Sequence, residues 1–395
     1  MRKLRVAVAL GTRPEVIKLA PVVKALRARP EEFETYVIST GQHRQMLDQA
    51  LAPFELAVQS DLRLMRDNQT LPELTASALT AMYNLLAELK PDLLLVQGDT
   101  TTVLSASLAA FYLKIPVGHV EAGLRSHDIH NPFPEEVNRK LTSVMTELHF
   151  APTAGSKAEL LREDYPAGKI VVTGNTVVDA LLDLTAKPFD PAGTPLESIP
   201  LEGRRLILVT SHRRESFDGG LEQICLALKD IARAFPDVAI VYPLHLNPNV
   251  RQVARGVLCE CDGIYLLEPL DYQVIVQLMR RACLILTDSG GIQEEAPTFD
   301  TPVLVLRKVT ERPEASQRGQ AILVGADRAN IVAHATRLLS DPAARAAMTG
   351  LGNPYGDGQA SERIVEAILR WAGGVSPLLP PEREFKPSPV GGDSQ

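Results

Sequence analysis

The sequence predicts an α/β protein built from parallel strands that alternate with helices. Short apolar runs, each the length of a buried strand, recur along most of the chain. Segments with apolar residues at helical spacing lie between these runs. Glycine, hydroxyl and charged residues follow the ends of the strands, where doubly wound sheets bind their ligands. Together these three observations predict repeated βα units and an open parallel sheet.

The chain of 395 residues is too long for a single hydrophobic core, and it predicts two domains with a tail. We assign residues 1–172 to an N-terminal domain and residues 173–359 to a C-terminal, ligand-binding domain. The stretch 187–204 is rich in proline, glycine and acidic residues, as is typical of a connection between domains. We expect the helix at 360–372 to pack back on the first domain. Residues 376–395 are rich in proline and lack periodicity, which predicts a flexible tail.

The composition argues against several classes of protein. A net charge of −7 disfavours a nucleic-acid partner, since domains that bind nucleic acids are usually basic. No apolar run approaches the ~20 residues that span a bilayer, so we expect no membrane segment. The apolar run Val6–Leu10 is too short for a signal peptide, which indicates a cytoplasmic protein. The pair Cys259 and Cys261 lacks further ligands at metal spacing, so we expect reduced thiols and no metal site.

The first predicted βα unit carries two cations. Leu4–Leu10 is a strand, a turn follows it, and Pro14 occupies a first helical position. Arg13 and Lys18 lie in this strand-to-helix segment, at the carboxyl edge of the predicted sheet. Two cations at that edge suit an anionic ligand, although each could also be a solvated surface charge.

Three carboxylates follow at equivalent places in the first half. Asp92–Val96 and Pro116–Val120 are predicted strands, and Asp99 and Glu121 come just after their carboxyl ends. Glu135 lies at the start of the next helix. Because the ligands of a doubly wound sheet bind beyond the carboxyl ends of its strands, we expect the three side chains to converge on one cleft. Taken singly, each could be a helix cap or a partner in a surface salt bridge.

The second half repeats the pattern, and one of its strands leads directly into Ser289, Gly290 and Gly291. A helix is expected to open there with Glu294 and Glu295 in its first turn. Free N–H groups and the helix dipole suit a phosphate, the glycines let a diphosphate approach, and either glutamate could bind ribose hydroxyls. An ordinary turn capped by Ser289 explains the same residues equally well. The predicted strands of this half are Leu206–Thr210, Ala239–Pro243, Ile264–Leu267, Cys283–Thr287 and Pro302–Leu306.

A series of short motifs between Leu4 and about Trp371 resembles one known family, the non-hydrolysing UDP-N-acetylglucosamine 2-epimerases. The match is specific because the motifs occur in order and without large gaps. They are Gly11-Thr-Arg-Pro-Glu-Val-Ile-Lys18, Gln97-Gly-Asp-Thr100, His119-Val-Glu-Ala-Gly-Leu-Arg125, Pro134-Glu-Glu136, Ser211-His-Arg-Arg-Glu215, Tyr242-Pro-Leu-His-Leu-Asn-Pro248 and Asp288-Ser-Gly-Gly-Ile-Gln-Glu-Glu295.

The resemblance implies a fold and an activity. The fold is two Rossmann-like domains that face each other across a cleft, as in GT-B glycosyltransferases, and the family usually forms homodimers. The activity is the reversible conversion of UDP-GlcNAc to UDP-ManNAc, which supplies ManNAc units for surface polysaccharides. Family members eliminate UDP across C1–C2 to give 2-acetamidoglucal, and then add UDP back with the proton on the other face. The resemblance implies no nicotinamide and no catalytic metal, and the first strand is indeed not followed by a G-x-G-x-x-G turn.

The family's functional residues can be carried over to matching positions. Asp99, Glu121 and Glu135 match the acid/base carboxylates, and the sequence leaves open which of them serves which face of C2. The remaining matches concern UDP: cations near the diphosphate or leaving group, the diphosphate cradle, and the ribose contact. These are Arg13, Lys18 and His212 for the cations, Ser289, Gly290 and Gly291 for the cradle, and Glu295 for the ribose.

Some bacterial members of the family are activated by UDP-GlcNAc at a second site beside the catalytic one. The matching residues in this chain are Gln42, Gln45, Glu135, Arg213 and His245. One further position of that site, often arginine just before Gln-Thr-Leu, is Asn68 here. The departure predicts weaker activation than in members with arginine.

Two other activities use related parts. A hydrolysing epimerase releases free ManNAc and UDP, but its first loop typically lacks the Pro-Glu-x-x-Lys pattern of Pro14 to Lys18. A GT-B glycosyltransferase shares the fold and the diphosphate cradle, but it has no need of three carboxylates around C2. Exchange of the C2 proton with solvent separates the epimerase from a transferase.

Overall fold

The computed structural model describes residues 2–41, 50–66, 69–211 and 219–389. The chain divides into two compact units. The first consists of Met1–Asp183 and Tyr355–Lys386, and the second of Leu184–Pro354 and Pro387–Gln395. Within the described ranges, every helix is too short or too polar to cross a membrane.

The described part of the first unit contains a seven-stranded parallel sheet with the strand order β3-β2-β1-β4-β5-β6-β7. The order reverses between β1 and β4, and this is the point where doubly wound sheets open a crevice at their carboxyl edge. Residues Val6 to Leu10 of β1 are fully buried, as expected for a central parallel strand. The strands are β1 Leu4–Leu10, β2 Phe33–Ser39, β3 Ser60–Asp61, β4 Leu93–Gln97, β5 Val117–Val120, β6 Leu148–Ala151 and β7 Ile170–Val172.

Helices cover both faces of this sheet, and their apolar sides form two buried clusters. Pro14 stands in the first turn of the first helix, where its missing N–H costs nothing. The α-helices that lie wholly within the described ranges are Arg13–Arg27, Leu71–Leu89, Thr101–Tyr112, Glu135–Met145, Ala154–Arg162, Thr176–Thr185 and Ala360–Ala372.

The second unit repeats the plan with a six-stranded parallel sheet in its described part, in the order β10-β9-β8-β11-β12-β13. Its switch point lies between β8 and β11, so the segments after these strands meet at one edge. The strands are β8 Arg205–Thr210, β9 Val238–Pro243, β10 Ile264–Leu267, β11 Ala282–Thr287, β12 Val303–Val305 and β13 Ala321–Leu323. The α-helices are Gly220–Ala234, Pro248–Leu258, Tyr272–Arg281, Gly290–Glu295, Pro313–Gln317, Arg328–Ser340 and Pro342–Ala346.

The chain organisation differs from the sequence prediction in two places. The first unit extends beyond residue 172 to Asp183, because the carboxylate of Asp179 accepts from the N–H groups of Ala360 and Ser361 and ties two helices of this unit together. The prediction of a flexible tail is wrong for residues 376–386. Leu379 and Phe385 are buried there, and the Phe385 N–H donates to the carbonyl of Val172 on the edge strand β7.

Candidate active site

Glu121 is the centre of a buried polar cluster at the carboxyl edge of the first sheet. It follows β5 directly, in a left-handed conformation with φ of 66°. Its Oε1 accepts from the Nζ of Lys18 and, at 3.2 Å, from the Nδ2 of Asn175. Its Oε2 accepts from the Nε2 of Gln97, the last residue of β4. Donors to both oxygens favour the ionised carboxylate although the side chain is buried.

Glu15 fixes the loop that carries Arg13 and Lys18. Its Oε2 accepts from the N–H groups of Gly11 and Thr12 at 2.8 and 2.5 Å, and its Oε1 accepts from the Thr100 hydroxyl at 2.6 Å. Burial raises the pKa of Glu15, and these hydrogen bonds oppose the effect. The carboxylate therefore joins the segments after β1 and β4. Glu15 was not among the predicted site residues, although the Thr-x-x-Glu spacing of a capping box was a usable signal.

Asp99 is held by the helix Glu135–Met145. The Arg139 guanidinium donates to Oδ2 of Asp99 from Nε at 2.9 Å and from Nη2 at 2.8 Å, and the Nδ2 of Asn138 donates to its backbone carbonyl at 2.8 Å. Behind the turn, the buried His119 ring donates from Nε2 to the Gly98 carbonyl at 2.7 Å. Burial lowers the pKa of His119 to about 4, so the ring is neutral. Sequence reasoning found Asp99 but none of the side chains that hold it.

Glu135 and Glu136 differ sharply in environment. Glu136 is fully buried, accepts from the N–H groups of Ser126 and His127, and pairs with Arg139 at 3.0 Å. Burial by itself raises its pKa, but these donors outweigh burial and bring the pKa below its ordinary value. Glu135 is less buried, and its Oε2 is shielded from solvent without a hydrogen-bond partner among the described residues. The first glutamate of the pair is thus available for a ligand, whereas the second is structural.

The predicted diphosphate cradle lies at the carboxyl edge of the second sheet. The Ser289 N–H donates to the Thr287 hydroxyl at 2.9 Å, and Asp288 accepts from the Ser211 hydroxyl at 3.0 Å. Ser289 occupies the N-cap position of the helix Gly290–Glu295, but its side chain makes no capping bond. Its hydroxyl is therefore not used to stabilise the helix.

The prediction that Glu294 and Glu295 lie in the first turn of this helix is wrong. The helix has only six residues, and both glutamates lie at its end. Glu294 is buried and pairs with the Nε of Arg312 at 2.6 Å. The ribose assignment to Glu294, left open by the sequence, is therefore disfavoured relative to Glu295.

The two glycines of the cradle have different surroundings. A Cβ at Gly290 would stand 2.6 Å from the Arg312 guanidinium. Among the described residues, the atom nearest to a Cβ at Gly291 would be in the Glu295 carboxylate, at 3.7 Å. Gly290 therefore makes room for Arg312, and Gly291 leaves the end of the helix open. Arg312 was not predicted as a site residue, although the charged segment after β12 was a signal for it.

Several predicted residues lie outside the described residues, namely His212, Arg213, Gln42, Gln45 and Asn68. His245 is described and exposed, and its Nδ1 accepts from the Asn247 N–H at 3.1 Å. Arg13 is half-buried at the first position of its helix. In the part of the chain that the structure describes, His, Cys, Asp and Glu side chains form no cluster suited to a metal ion.

The comparison with known proteins decides the family. The family model for UDP-N-acetylglucosamine 2-epimerase matches residues 24–369, which is most of the chain. The chain belongs to the UDP-N-acetylglucosamine 2-epimerase family. It is 52% identical to the UDP-N-acetylglucosamine 2-epimerase of Yersinia pestis over 373 residues, an alignment that covers 92% of this chain and 98% of the relative.

Solved structures show the same relationship. The UDP-GlcNAc 2-epimerase of Neisseria meningitidis bound to UDP-GlcNAc is similar to this chain with a TM-score of 0.86 and 45% identity, over 93% of this chain and 100% of that one. The MnaA–UDP structure from Staphylococcus aureus has a TM-score of 0.86 and 43% identity, over 98% and 100%. The predicted α/β, GT-B-like fold class is thereby confirmed, and the epimerase family is favoured over a glycosyltransferase.

Proposed function

We propose that this epimerase interconverts UDP-GlcNAc and UDP-ManNAc by elimination of UDP and its re-addition. The arrangement around Glu121 carries the proposal. A buried carboxylate that accepts from Lys18, Gln97 and Asn175 lies at the same sheet edge as Asp99 and Glu135. A site that moves protons at C2 requires carboxylates placed in this way, together with a cation that stabilises the leaving diphosphate.

The proposed steps conserve atoms and charge. One carboxylate takes the C2 proton, the C1–O bond breaks with its electrons passing to the β-phosphate oxygen, and a C1–C2 double bond forms. UDP then adds back to C1 while a second acidic group delivers a proton to the opposite face of C2. Asp99, Glu121 and Glu135 are the proposed acid/base groups. Carbon is neither oxidised nor reduced overall, so the route requires no redox cofactor.

UDP is the second element of the proposal. The diphosphate or leaving group interacts with Arg13, Lys18 and His212, and Glu295 binds the ribose. Ser289, Gly290 and Gly291 form the diphosphate cradle through their backbone N–H groups. Arg312 lies beside Gly290, and its guanidinium pairs with Glu294 and Glu311. The relatives whose structures contain UDP-GlcNAc or UDP support this ligand class.

Substrate activation is proposed at a second UDP-GlcNAc site formed by Gln42, Gln45, Glu135, Arg213 and His245. The solvent-shielded Oε2 of Glu135 and the exposed ring of His245 are consistent with contacts to a ligand. Asn68 in place of a charged partner should weaken this site by the value of one charge-assisted hydrogen bond, about 1.5–3 kcal/mol.

We further propose that the enzyme is a cytoplasmic homodimer whose product supplies ManNAc units for surface polysaccharides. Three neighbouring helices of the first unit expose large apolar side chains, and faces of this kind are common at subunit interfaces. They are Tyr83, Phe111, Tyr112, Leu141 and Val144.

The test is the reaction of UDP-GlcNAc in heavy water. The proposal requires UDP-ManNAc as a product and deuterium at C2 of the recovered nucleotide sugars. Free ManNAc with UDP as the only products would instead identify a hydrolysing epimerase. Absence of C2 exchange under conditions where UDP-GlcNAc binds would refute the mechanism.

A further inference from the structure

We infer that Asn175 is a positioning residue that holds the Glu121 carboxylate in its working orientation. The inference rests on the proposed role of Glu121 as an acid/base group. Asn175 lies after β7, distant in sequence from Glu121, and outside the motifs named in the sequence analysis.

The amide of Asn175 has a single compatible orientation. Its Oδ1 accepts from the Val177 N–H at 3.1 Å, at the start of the helix Thr176–Thr185. Its Nδ2 donates to Oε1 of Glu121 at 3.2 Å. A flipped amide would place two acceptors together at Glu121 and two donors together at Val177. The side chain is only 3% exposed, so solvent does not compensate for a lost partner.

The backbone of Asn175 is fixed as well. Its N–H donates to the Tyr355 carbonyl at 2.7 Å, and Tyr355 is the first residue of the chain's return to the first unit. Packing leaves little freedom here, because a Cβ at Gly356 would stand 3.1 Å from the Asn175 carbonyl and 2.9 Å from the Val178 side chain. The Nδ2 donor is thus held on a rigid support.

One of the described donors to Oε1 of Glu121, Lys18, has a second proposed task. Lys18 donates to Oε1 of Glu121 and is also proposed to stabilise the leaving diphosphate. When Lys18 turns toward the diphosphate, the Asn175 amide still donates to Oε1 and the Gln97 amide still donates to Oε2. Glu121 therefore keeps its place and its ionised form during the step in which its cation is used elsewhere.

Two variants separate this role from the structural role of Asn175. Asn175→Ser and Asn175→Asp both keep a side-chain acceptor for the Val177 N–H, so the helix start retains its cap. Asn175→Ser removes the donor to Glu121, and Asn175→Asp replaces it with a second carboxylate. Asn330→Ser is the matched control, since it removes an amide that donates to the Val324 carbonyl in the second unit.

We expect both variants to fold and to keep the UDP affinity of the wild type, with a lower melting temperature because a buried hydrogen bond is lost. Both should lose roughly 10- to 100-fold in kcat with little change in KM. The acid limb of the pH–rate profile should move up by roughly one pH unit in Asn175→Ser, because the ionised form of Glu121 loses a donor. It should move further in Asn175→Asp, where a like charge is added. Asn330→Ser should leave kcat and the profile unchanged.

A wild-type kcat and profile in Asn175→Ser would overturn the inference, and so would a lower kcat with an unshifted acid limb. If Asn175→Ser fails to fold, the nearly isosteric Asn175→Asp decides by the same readouts. Glu121→Gln, measured in parallel, separates this inference from the proposed function. Retained turnover in Glu121→Gln would remove Glu121 from the mechanism, whereas an inactive Glu121→Gln beside unshifted Asn175 variants would reject the positioning role alone.

Discussion

Individual carboxylates in the first unit should affect turnover rather than nucleotide binding. We expect Asp99→Asn and Glu121→Gln each to bind UDP nearly normally and to lose roughly 10²–10⁴-fold in epimerisation rate, the usual value of one acid/base group. UDP affinity by calorimetry and UDP-ManNAc formation by chromatography check the two halves of this prediction. Near-wild-type turnover in either variant would remove that residue from the mechanism.

The cradle glycines give a second prediction at the scale of one atom. Gly291→Ala should fold at least as stably as the wild type, because its Cβ makes only ordinary contacts and alanine favours a helix. It should nevertheless weaken UDP binding, since the methyl group occupies the approach to the backbone N–H groups. Gly290→Ala should weaken binding and stability together, because Arg312 must move. Thermal unfolding and UDP calorimetry on both variants provide the check, and normal UDP affinity in Gly291→Ala would contradict the cradle.

The sequence predicted where the carboxylates at the strand ends lie better than it predicted the side chains that hold them. Asp99 and Glu121 could be predicted because strand ends of a parallel sheet are recognisable and their chemistry is limited to few residue types. Asn175, Arg139 and Arg312 could not, since their contacts depend on how distant segments pack. No local pattern distinguishes an asparagine that binds a carboxylate from one that caps a helix.

The paired strands β5 and β6 carry a pH-dependent element. His119 and His149 are neighbours in register on these parallel strands. Burial lowers the pKa of His149 to about 3, and neither of its ring nitrogens has a hydrogen-bond partner among the described residues. In an unfolded chain the pKa is about 6.5. The unfolded state therefore binds the proton more readily, and stability is lost as the pH falls from about 6.5 towards 3.

His149→Leu should remove one part of this acid sensitivity. Between pH 7 and pH 5, the wild type should lose about 2 kcal/mol more free energy of unfolding than the variant does. This figure corresponds to about 1.36 kcal/mol for each pH unit below 6.5. Denaturant unfolding of the wild type and the variant at pH 7 and pH 5 measures these free energies. A packing change caused by the substitution contributes equally at the two pH values and cancels. An identical loss of stability in variant and wild type would show that His149 titrates normally in the folded protein.

The segment 376–386, which the sequence predicted to be flexible, is packed against the rest of the first unit, and this packing can be tested. Leu379 is 3% exposed in the core of the first unit, so Leu379→Ala should destabilise by about 2–5 kcal/mol. Val375→Ala, at a position that is 44% exposed, is the matched control and should be nearly neutral. Urea unfolding of both variants decides, and a neutral Leu379→Ala would restore the mobile tail.

Among the structural elements, the sequence predicted long buried ones well and short or irregular ones poorly. Leu4–Leu10 was predicted to the residue because it is apolar throughout and bounded by a turn. The segment at 376–386 was not, because its order comes from Arg363 and Lys157 binding the Arg383 carbonyl and Glu384, contacts with no periodic signature.

At the scale of the whole molecule, the exposed apolar face of the first unit supports the proposed homodimer. Phe111 is 57% exposed, Val144 is 72% exposed, and charged residues rarely occupy the centre of a subunit interface. Phe111→Glu and Val144→Lys should therefore convert the dimer, of twice the 43.0 kDa chain mass, to a monomer. Leu161→Glu, at an exposed position on a different helix of this unit, is the matched control and should remain dimeric. Light scattering with size exclusion measures the masses of the wild type and the three variants. A monomeric wild type would refute the homodimer. Variants of Phe111 and Val144 that stay dimeric would place the interface elsewhere on the molecule.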